Sequence, residues 1–199
     1  RYTIHWQGKS FALGALKRLP GAHNRENIAA AFAACAHAGV SPDEIIAAIH
    51  TFPGLPHHME LVTEKNGIVF INDSKATNAE AAEKALLSFE NIYWIAGGVP
   101  KEGGIVALKV LFPKITQAYL IGQAAEEFAS TLDDSVPYQH CGTLQKAVEM
   151  AYKDACKEKK PAIVLLSPAC ASFDQFKSYE DRGTQFANLA RAIVNDAVA

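Results

Sequence analysis

The sequence has no Cys-x-x-Cys pair, no basic excess, no long apolar run and no G-x-x-x-x-G-K-[ST] phosphate-binding loop. Each absence narrows what the chain can do. The four cysteines, Cys35, Cys141, Cys156 and Cys170, have spacings that suit no zinc site, so reduced thiols are the simplest reading. Cys35 lies in an Ala-rich helical stretch and is expected in the core, and Cys170 is given a packing role. With 19 Lys and Arg against 21 Asp and Glu, the net charge of -2 argues against nucleic acid or a membrane surface as partner. A bilayer-spanning helix needs about 20 apolar residues in a row, and there is no such run. No basic, apolar leader is visible either, so secretion is not suggested and a cytoplasmic location is expected. Gly8-Lys9-Ser10 looks like the end of a phosphate-binding loop, but the position five residues earlier is Thr3, not glycine. The run Gly97-Gly98-Val99-Pro100-Lys101-Glu102-Gly103-Gly104 lacks the G-x-G-x-x-G spacing of a dinucleotide site.

What is present is ordinary for a globular protein: 49% apolar and 20% charged residues in a chain of 199, enough for one large or two small domains. The chain opens on Arg1-Tyr2-Thr3-Ile4-His5-Trp6 without an initiator Met, which reads as the middle of a sheet and suggests a piece of a longer protein. Residues 1–19 read as a β-hairpin. Asn24 is a candidate cap for a helix over 25–38 that would bury Ile28, Ala31, Phe32 and Cys35, with Gly39 ending it. Ser41-Pro42-Asp43-Glu44 starts a second helix running to about Thr51, because a hydroxyl cap, an early proline and acids in the first turn all favour that end. Phe52-Pro53-Gly54-Leu55-Pro56 marks a domain boundary.

Beyond it, Glu60 to Glu64 and Ile68 to Asn72 form a hairpin around Lys65-Asn66-Gly67. Helices over 79–89, 123–132, 143–157 and 183–197 then alternate with strands over 92–96, 116–121, 136–139 and 162–166. This alternation predicts an α/β fold: a Rossmann-like, mostly parallel sheet with helices on both faces.

Two apolar runs end in compact polar loops. Ile68-Val69-Phe70-Ile71 leads into Asn72-Asp73-Ser74-Lys75-Ala76-Thr77-Asn78, and Ala162-Ile163-Val164-Leu165-Leu166 leads into Ser167-Pro168-Ala169-Cys170-Ala171-Ser172. Ligands of open α/β sheets bind beyond the carboxyl ends of such strands. The first loop offers a carboxylate, an ammonium and hydroxyls; the second has small residues that admit a ligand close to the backbone. His57 and His58 point opposite ways in an extended segment, so they do not share a metal, and no metal ligand is read from this chain. His23 stands at a helix start, where either an anion site or a turn role is open. Arg182 either clamps an anion or makes a surface pair with Glu180 or Asp181.

Taken together, these motifs resemble the Mur ligases, which build the peptide of bacterial peptidoglycan. Leu19-Pro20-Gly21-Ala22-His23-Asn24-x-x-Asn27-x-x-Ala30-Ala31 resembles the end of their central ATPase domain, and Leu55-Pro56-His57-His58-Met59-Glu60 the start of their C-terminal domain. The Asp73 loop, with Lys75, Thr77 and Asn78, is similar to that of the D-glutamate-adding branch. So is Ser167-Pro168-Ala169-Cys170-Ala171-Ser172-Phe173-Asp174-Gln175-Phe176, followed by Tyr179-Glu180-x-Arg182-Gly183.

The resemblance implies that residues 1–53 are the tail of the central ATPase domain and 54–199 the whole Rossmann-like amino-acid-binding domain. It also implies the roles. Lys75 would lie by the phosphates and the reacting carboxylate as the catalytic residue. Asn24, Asn27, His58 and Asp73 would hold ATP, with Asp73 on the ribose. Thr77, Lys101, Ser172, Phe173 and Tyr179 would hold D-glutamate. The implied partners are D-glutamate, ATP with Mg2+, and UDP-N-acetylmuramoyl-L-alanine, the nucleotide and its metal mainly held upstream and the UDP-sugar by an N-terminal domain absent from this chain. A monomer, inactive on its own, is expected. The sequence departs from the family pattern where His58 replaces an arginine and where Val99 replaces an aspartate two residues before Lys101. Two rival readings stand beside this one: another Mur- or folylpolyglutamate-type amide ligase, or a non-catalytic α/β metabolite-binding module.

Overall fold

The computed structural model describes residues 2–14, 16 and 18–196. The chain forms two compact units, Arg1–Gly54 and Leu55–Ala199. No helix among the described residues is long and apolar enough to cross a membrane.

In the first unit, β1 (Tyr2–Trp6) and β2 (Lys9–Gly14) pair antiparallel, as the hairpin reading expects. Residues 1, 15 and 17 of that reading lie outside the described residues. Helix α1 (Ala22–His37) begins before the expected residue 25, and its cap position is Gly21, with no side-chain cap. Asn24 is therefore not the cap. It sits buried in the first turn, where its Nδ2 donates to the Pro20 carbonyl at 2.6 Å. The helix buries Ile28 and Phe32, and Phe32 meets the rings of Trp6 and Phe11 at 6.0 and 5.7 Å between centroids. Ala31 and Cys35, expected in the core, are exposed in this unit. Alanines surround α1 on every side, so its sequence marks no single inward stripe.

Helix α2 (Pro42–Thr51) starts as expected: the Ser41 Oγ accepts from the Glu44 N–H at 3.3 Å, and Glu44 Oε2 accepts from the Ser41 N–H at 3.2 Å. This reciprocal cap satisfies two donors that the helix end otherwise leaves to water. Ser41→Ala is expected to cost about 1 kcal/mol of local stability, read as roughly fivefold faster amide exchange in the first turn of α2.

The second unit is a six-stranded sheet in the order β3-β4-β8-β5-β6-β7. Its strands are β3 (Glu60–Lys65), β4 (Ile68–Asn72), β5 (Ile92–Gly97), β6 (Ile115–Ile121), β7 (Tyr138–Gly142) and β8 (Ala162–Leu166). Only β3 runs antiparallel to its neighbour; β4, β8, β5, β6 and β7 are parallel. The β3–β4 turn places Asn66 and Gly67 at φ 53° and 77°, the positive region that this residue pair tolerates.

Helices α3 (Ala79–Ser88) and α4 (Ala125–Leu132) cover one face, with a 3-10 segment over Val106–Lys114; α5 (Leu144–Lys157) and α6 (Tyr179–Asp196) cover the other. Strand β5 shows why both faces close. Its Ile92, Trp94 and Ala96 enter the core with α3 and α4, while Tyr93 and Ile95 enter the core with α5 and α6, all at most 1% exposed. The 3-10 segment was not expected from the sequence. Strand β7 lies two residues beyond the expected 136–139, and α6 starts four residues before the expected 183; residue 197 of that reading lies outside the described residues.

The connection leaving β8 goes to α6 on one face, while those leaving its neighbours β4 and β5 go to α3 and the 3-10 segment on the other. The loops therefore diverge at the carboxyl end of β8, the position where open α/β sheets bind ligands.

Candidate functional site

Three loops line the carboxyl end of the sheet around β8. The first follows β4. The Asp73 N–H donates to the Leu166 carbonyl at 2.7 Å, extending the β4–β8 ladder one residue into the loop. Asp73 is buried, and its carboxylate accepts from the Met59 N–H at 3.1 Å through Oδ1 and from the Ser167 hydroxyl at 2.8 Å through Oδ2. Burial pushes its pKa up to about 7, against the downward pull of those two hydrogen bonds.

His58 Nδ1 lies 3.8 Å from Asp73 Oδ1. The His58 pKa is lowered, first by burial and then by the charge of Lys75, so burial works against charging either partner. The loop turns tightly behind Asp73: the Ala76 N–H donates to the Asp73 carbonyl at 2.9 Å and the Lys75 N–H to the His57 carbonyl at 3.0 Å. Asn78 then caps α3, its Oδ1 accepting from the Ala81 N–H at 2.8 Å. Lys75 is left exposed and Thr77 half-buried on this turn.

The second and third loops follow β8 and β5 and pair with each other. The Val99 N–H donates to the Ala171 carbonyl at 2.9 Å, and the Ala171 N–H returns a bond to the Val99 carbonyl at 3.2 Å. The Gly97 N–H also donates to the Pro168 carbonyl at 2.9 Å, and Trp94 Nε1 to the Ser167 carbonyl at 2.8 Å. This pairing places exposed Lys101 on one loop, and buried Ser172 with 73%-exposed Phe173 on the other. The Ser172 carbonyl accepts from the Phe176 N–H at 2.9 Å, curling the loop toward α6. Burial raises the Cys170 thiol to about 12. It stays protonated and packs in the core, as the sequence reading has it.

Among the expected site residues, Asp73, Lys75 and Thr77 share the β4 loop, Lys101 lies on the β5 loop, Ser172 and Phe173 lie on the β8 loop, and Tyr179 opens α6. Asn24, buried, and Asn27, exposed, belong to the first unit. No group of three or more His, Cys, Asp or Glu residues suited to a metal occurs among the described residues.

The sequence reading missed the polar network beneath the loops. Asn72 is fully buried, its Nδ2 lying 3.1 Å from both Glu60 Oε2 and the Gly183 carbonyl and 3.0 Å from His57 Nδ1. Arg182 is also fully buried and pairs with neither Glu180 nor Asp181. A signal was available: Arg182, Phe186 and Ala190 recur every fourth residue, and all three lie on the buried stripe of α6.

A mostly parallel sheet with polar loops at the carboxyl ends of its central strands is a Rossmann-like fold, of the class that binds small molecules beyond those strand ends. The sequence profile described as "Mur ligase, glutamate ligase domain" matches residues 57–170, and the chain belongs to that family. It is 54% identical to the UDP-N-acetylmuramoylalanine--D-glutamate ligase of Rhizobium meliloti (strain 1021) over 182 residues, 91% of this chain and 39% of that protein. The enzyme of the same name from Rhodospirillum rubrum is 54% identical over 94% of this chain and 39% of its own length. The chain thus spans about two fifths of the curated relatives it matches. In fold it is similar to the UDP-N-acetylmuramate-alanine ligase of Thermotoga maritima, with a TM-score of 0.62 at 15% identity, covering 87% of this chain and 39% of that one.

Proposed function

We propose that this chain is the C-terminal part of a ligase that adds D-glutamate to UDP-N-acetylmuramoyl-L-alanine, and that the three loops of the second unit receive the D-glutamate. Residues 54–199 then form the acceptor domain, and residues 1–53 the tail of an ATP-binding domain. The observation that supports this reading is the backbone pairing of Val99 with Ala171, which ties together the two loops that carry Lys101 and Ser172. A dicarboxylate needs a cation and hydrogen-bond donors at separate ends. Lys101 supplies the cation; the hydroxyls of Ser172 and Thr77 supply donors, with Tyr179 packing over the bound acid and the Phe173 backbone beside it.

In the proposed reaction the L-alanine carboxylate takes the γ-phosphate of ATP and ADP leaves. The amine of D-glutamate attacks the acyl carbon, the tetrahedral intermediate expels phosphate, and the amine's proton passes to solvent or a base. Lys75 stands near the phosphates and the reacting carboxylate and offsets the charge that develops there. Asp73 and His58 face the nucleotide ribose and phosphates. Positioning and electrostatics are the protein's main contribution to such a transfer. The 54% identity to named D-glutamate ligases supports this acceptor over another amino acid and over a non-catalytic module.

Calorimetric titration of the chain with D- and L-glutamate tests the acceptor site. The expected result is binding of the D-isomer, weakened at least tenfold by Lys101→Ala or Ser172→Ala. Equal binding of the L-isomer, or wild-type affinity in both variants, would overturn it.

A further inference from the structure

Arg182 touches no solvent and no carboxylate lies within ion-pair distance, a costly place for a guanidinium unless its donors hold something in register. Its Nε donates to the Ser74 hydroxyl at 2.9 Å, and one Nη2 donates both to the Ser74 carbonyl at 2.8 Å and to the Cys170 carbonyl at 3.1 Å. Ser74 lies between Asp73 and Lys75 on the β4 loop; Cys170 lies two residues before Ser172 on the β8 loop. The other terminal nitrogen, Nη1, has no hydrogen-bond partner and lies against Gly98 of the β5 loop, 3.3 Å from where a Cβ would stand there. The Ser74 hydroxyl donates in turn to the Tyr179 carbonyl at 2.8 Å, so the first turn of α6, which carries Arg182, is fastened to the same loop.

We infer that Arg182 is a positioning residue: one planar fork that fixes the β4 and β8 loops relative to one another, and with them, through the Val99–Ala171 pairing, the β5 loop, and so Lys75, Ser172 and Lys101. A lysine has the charge but one nitrogen in place of two, so it loses either the Nε bond to the Ser74 hydroxyl or the Nη2 bonds to the Ser74 and Cys170 carbonyls. The inference rests on the reading of these loops as the acceptor site. Its test reads the loops with no ligand present, so the two can fail separately.

The experiment is amide exchange and backbone chemical shift on the 199-residue chain, wild type against Ser74→Ala and Arg182→Lys. Ser74→Ala removes one hydroxyl from the β4 loop only. The expected result is a response on the other two loops, at Val99 and Ala171, with Ile95 and Leu165 inside the sheet unchanged. Changes confined to residues 72–78 and the first turn of α6 would overturn the inference. Arg182→Lys is expected to speed exchange at Val99 and Ala171 at least tenfold. Wild-type exchange in that variant would show that charge alone suffices, and would equally overturn it. If Arg182→Lys does not fold, the Ser74→Ala result decides alone.

Discussion

Gly98→Ala is expected to unfold the β5 and β8 loops and cost on the order of 4 kcal/mol or more, well beyond the ~1 kcal/mol of an average substitution. Gly98 sits at φ +132°, a region that side chains avoid. A Cβ there would stand 2.2 Å from the Ala171 carbonyl oxygen, 3.0 Å from the Cys170 Cβ and 3.3 Å from Arg182 Nη1. The first of these partners is backbone, and it is the acceptor in the Val99–Ala171 pairing, so relief requires the β5 and β8 loops to part. The strain of the conformation alone accounts for about 1–3 kcal/mol; the lost pairing and the displaced guanidinium supply the rest. Gly103→Ala is the control. Gly103 is also at positive φ, +84°, but nothing lies within 4 Å of its Cβ position, so only conformational strain is felt. Urea unfolding separates the two: a Gly98→Ala midpoint no lower than that of Gly103→Ala would refute the close approach.

The second large effect concerns Asp73. Its pKa in the folded chain, about 7, lies above its ordinary value of 3.8, because burial disfavours the carboxylate more than the Ser167 and Met59 donors favour it. Between those two values the folded chain holds a proton that the unfolded chain has released. Stability supplied by this group is therefore full below about pH 4 and falls as pH rises through 7. Asp73→Asn keeps an acceptor for the Met59 N–H and removes the titration. From pH 5 to pH 8 the variant is expected to gain about 2–3 kcal/mol on the wild type, read as a pH-dependent separation of their thermal midpoints. Parallel midpoint curves would show that Asp73 titrates normally. The same variant is expected to be poorer in function, since the proposed role of Asp73 on the nucleotide needs its ionised form. A carboxylate kept in this position at a cost in stability is typical of a working site.

How much of this could be read beforehand depended on whether the signal was local. Strands β4, β5, β6 and β8 are short β-branched runs, and their bounds fall within a residue or so of expectation. The Ser41 cap and the Asn66-Gly67 turn are likewise written in adjacent residues. Strand β7 slipped because Tyr138-Gln139-His140-Cys141-Gly142 is a polar edge strand with little apolar alternation. The 3-10 segment over Val106–Lys114 carries Pro113 inside it and has neither helical nor strand periodicity to announce it. The loops that bear the candidate site were legible because each follows an apolar run. The network under them was not. Arg182 and Ser74 are 108 residues apart, and an arginine followed by glycine near two acids looks like a surface residue until its fourfold spacing with Phe186 and Ala190 is weighed. Asn24 misled for the opposite reason: it has the chemistry of a cap, but the chain enters α1 one turn earlier and uses it to hold Pro20.

The place of β8 bears on how the chain is made. The last strand of the sheet in sequence is third in space, wedged between β4 and β5, which have no contact ladder of their own. Until Ala162–Leu166 leaves the ribosome, the nascent second unit can form only two part-sheets, β3–β4 and β5–β6–β7, each with a bare apolar edge. Such edges invite pairing with other chains. Completion then waits on a strand that must insert between two preformed rims, an assembly of distant partners that is intrinsically slow. A pause or truncation before residue 162 would strand both halves in that sticky state, while one just beyond the β8 loop would already have sealed the sheet.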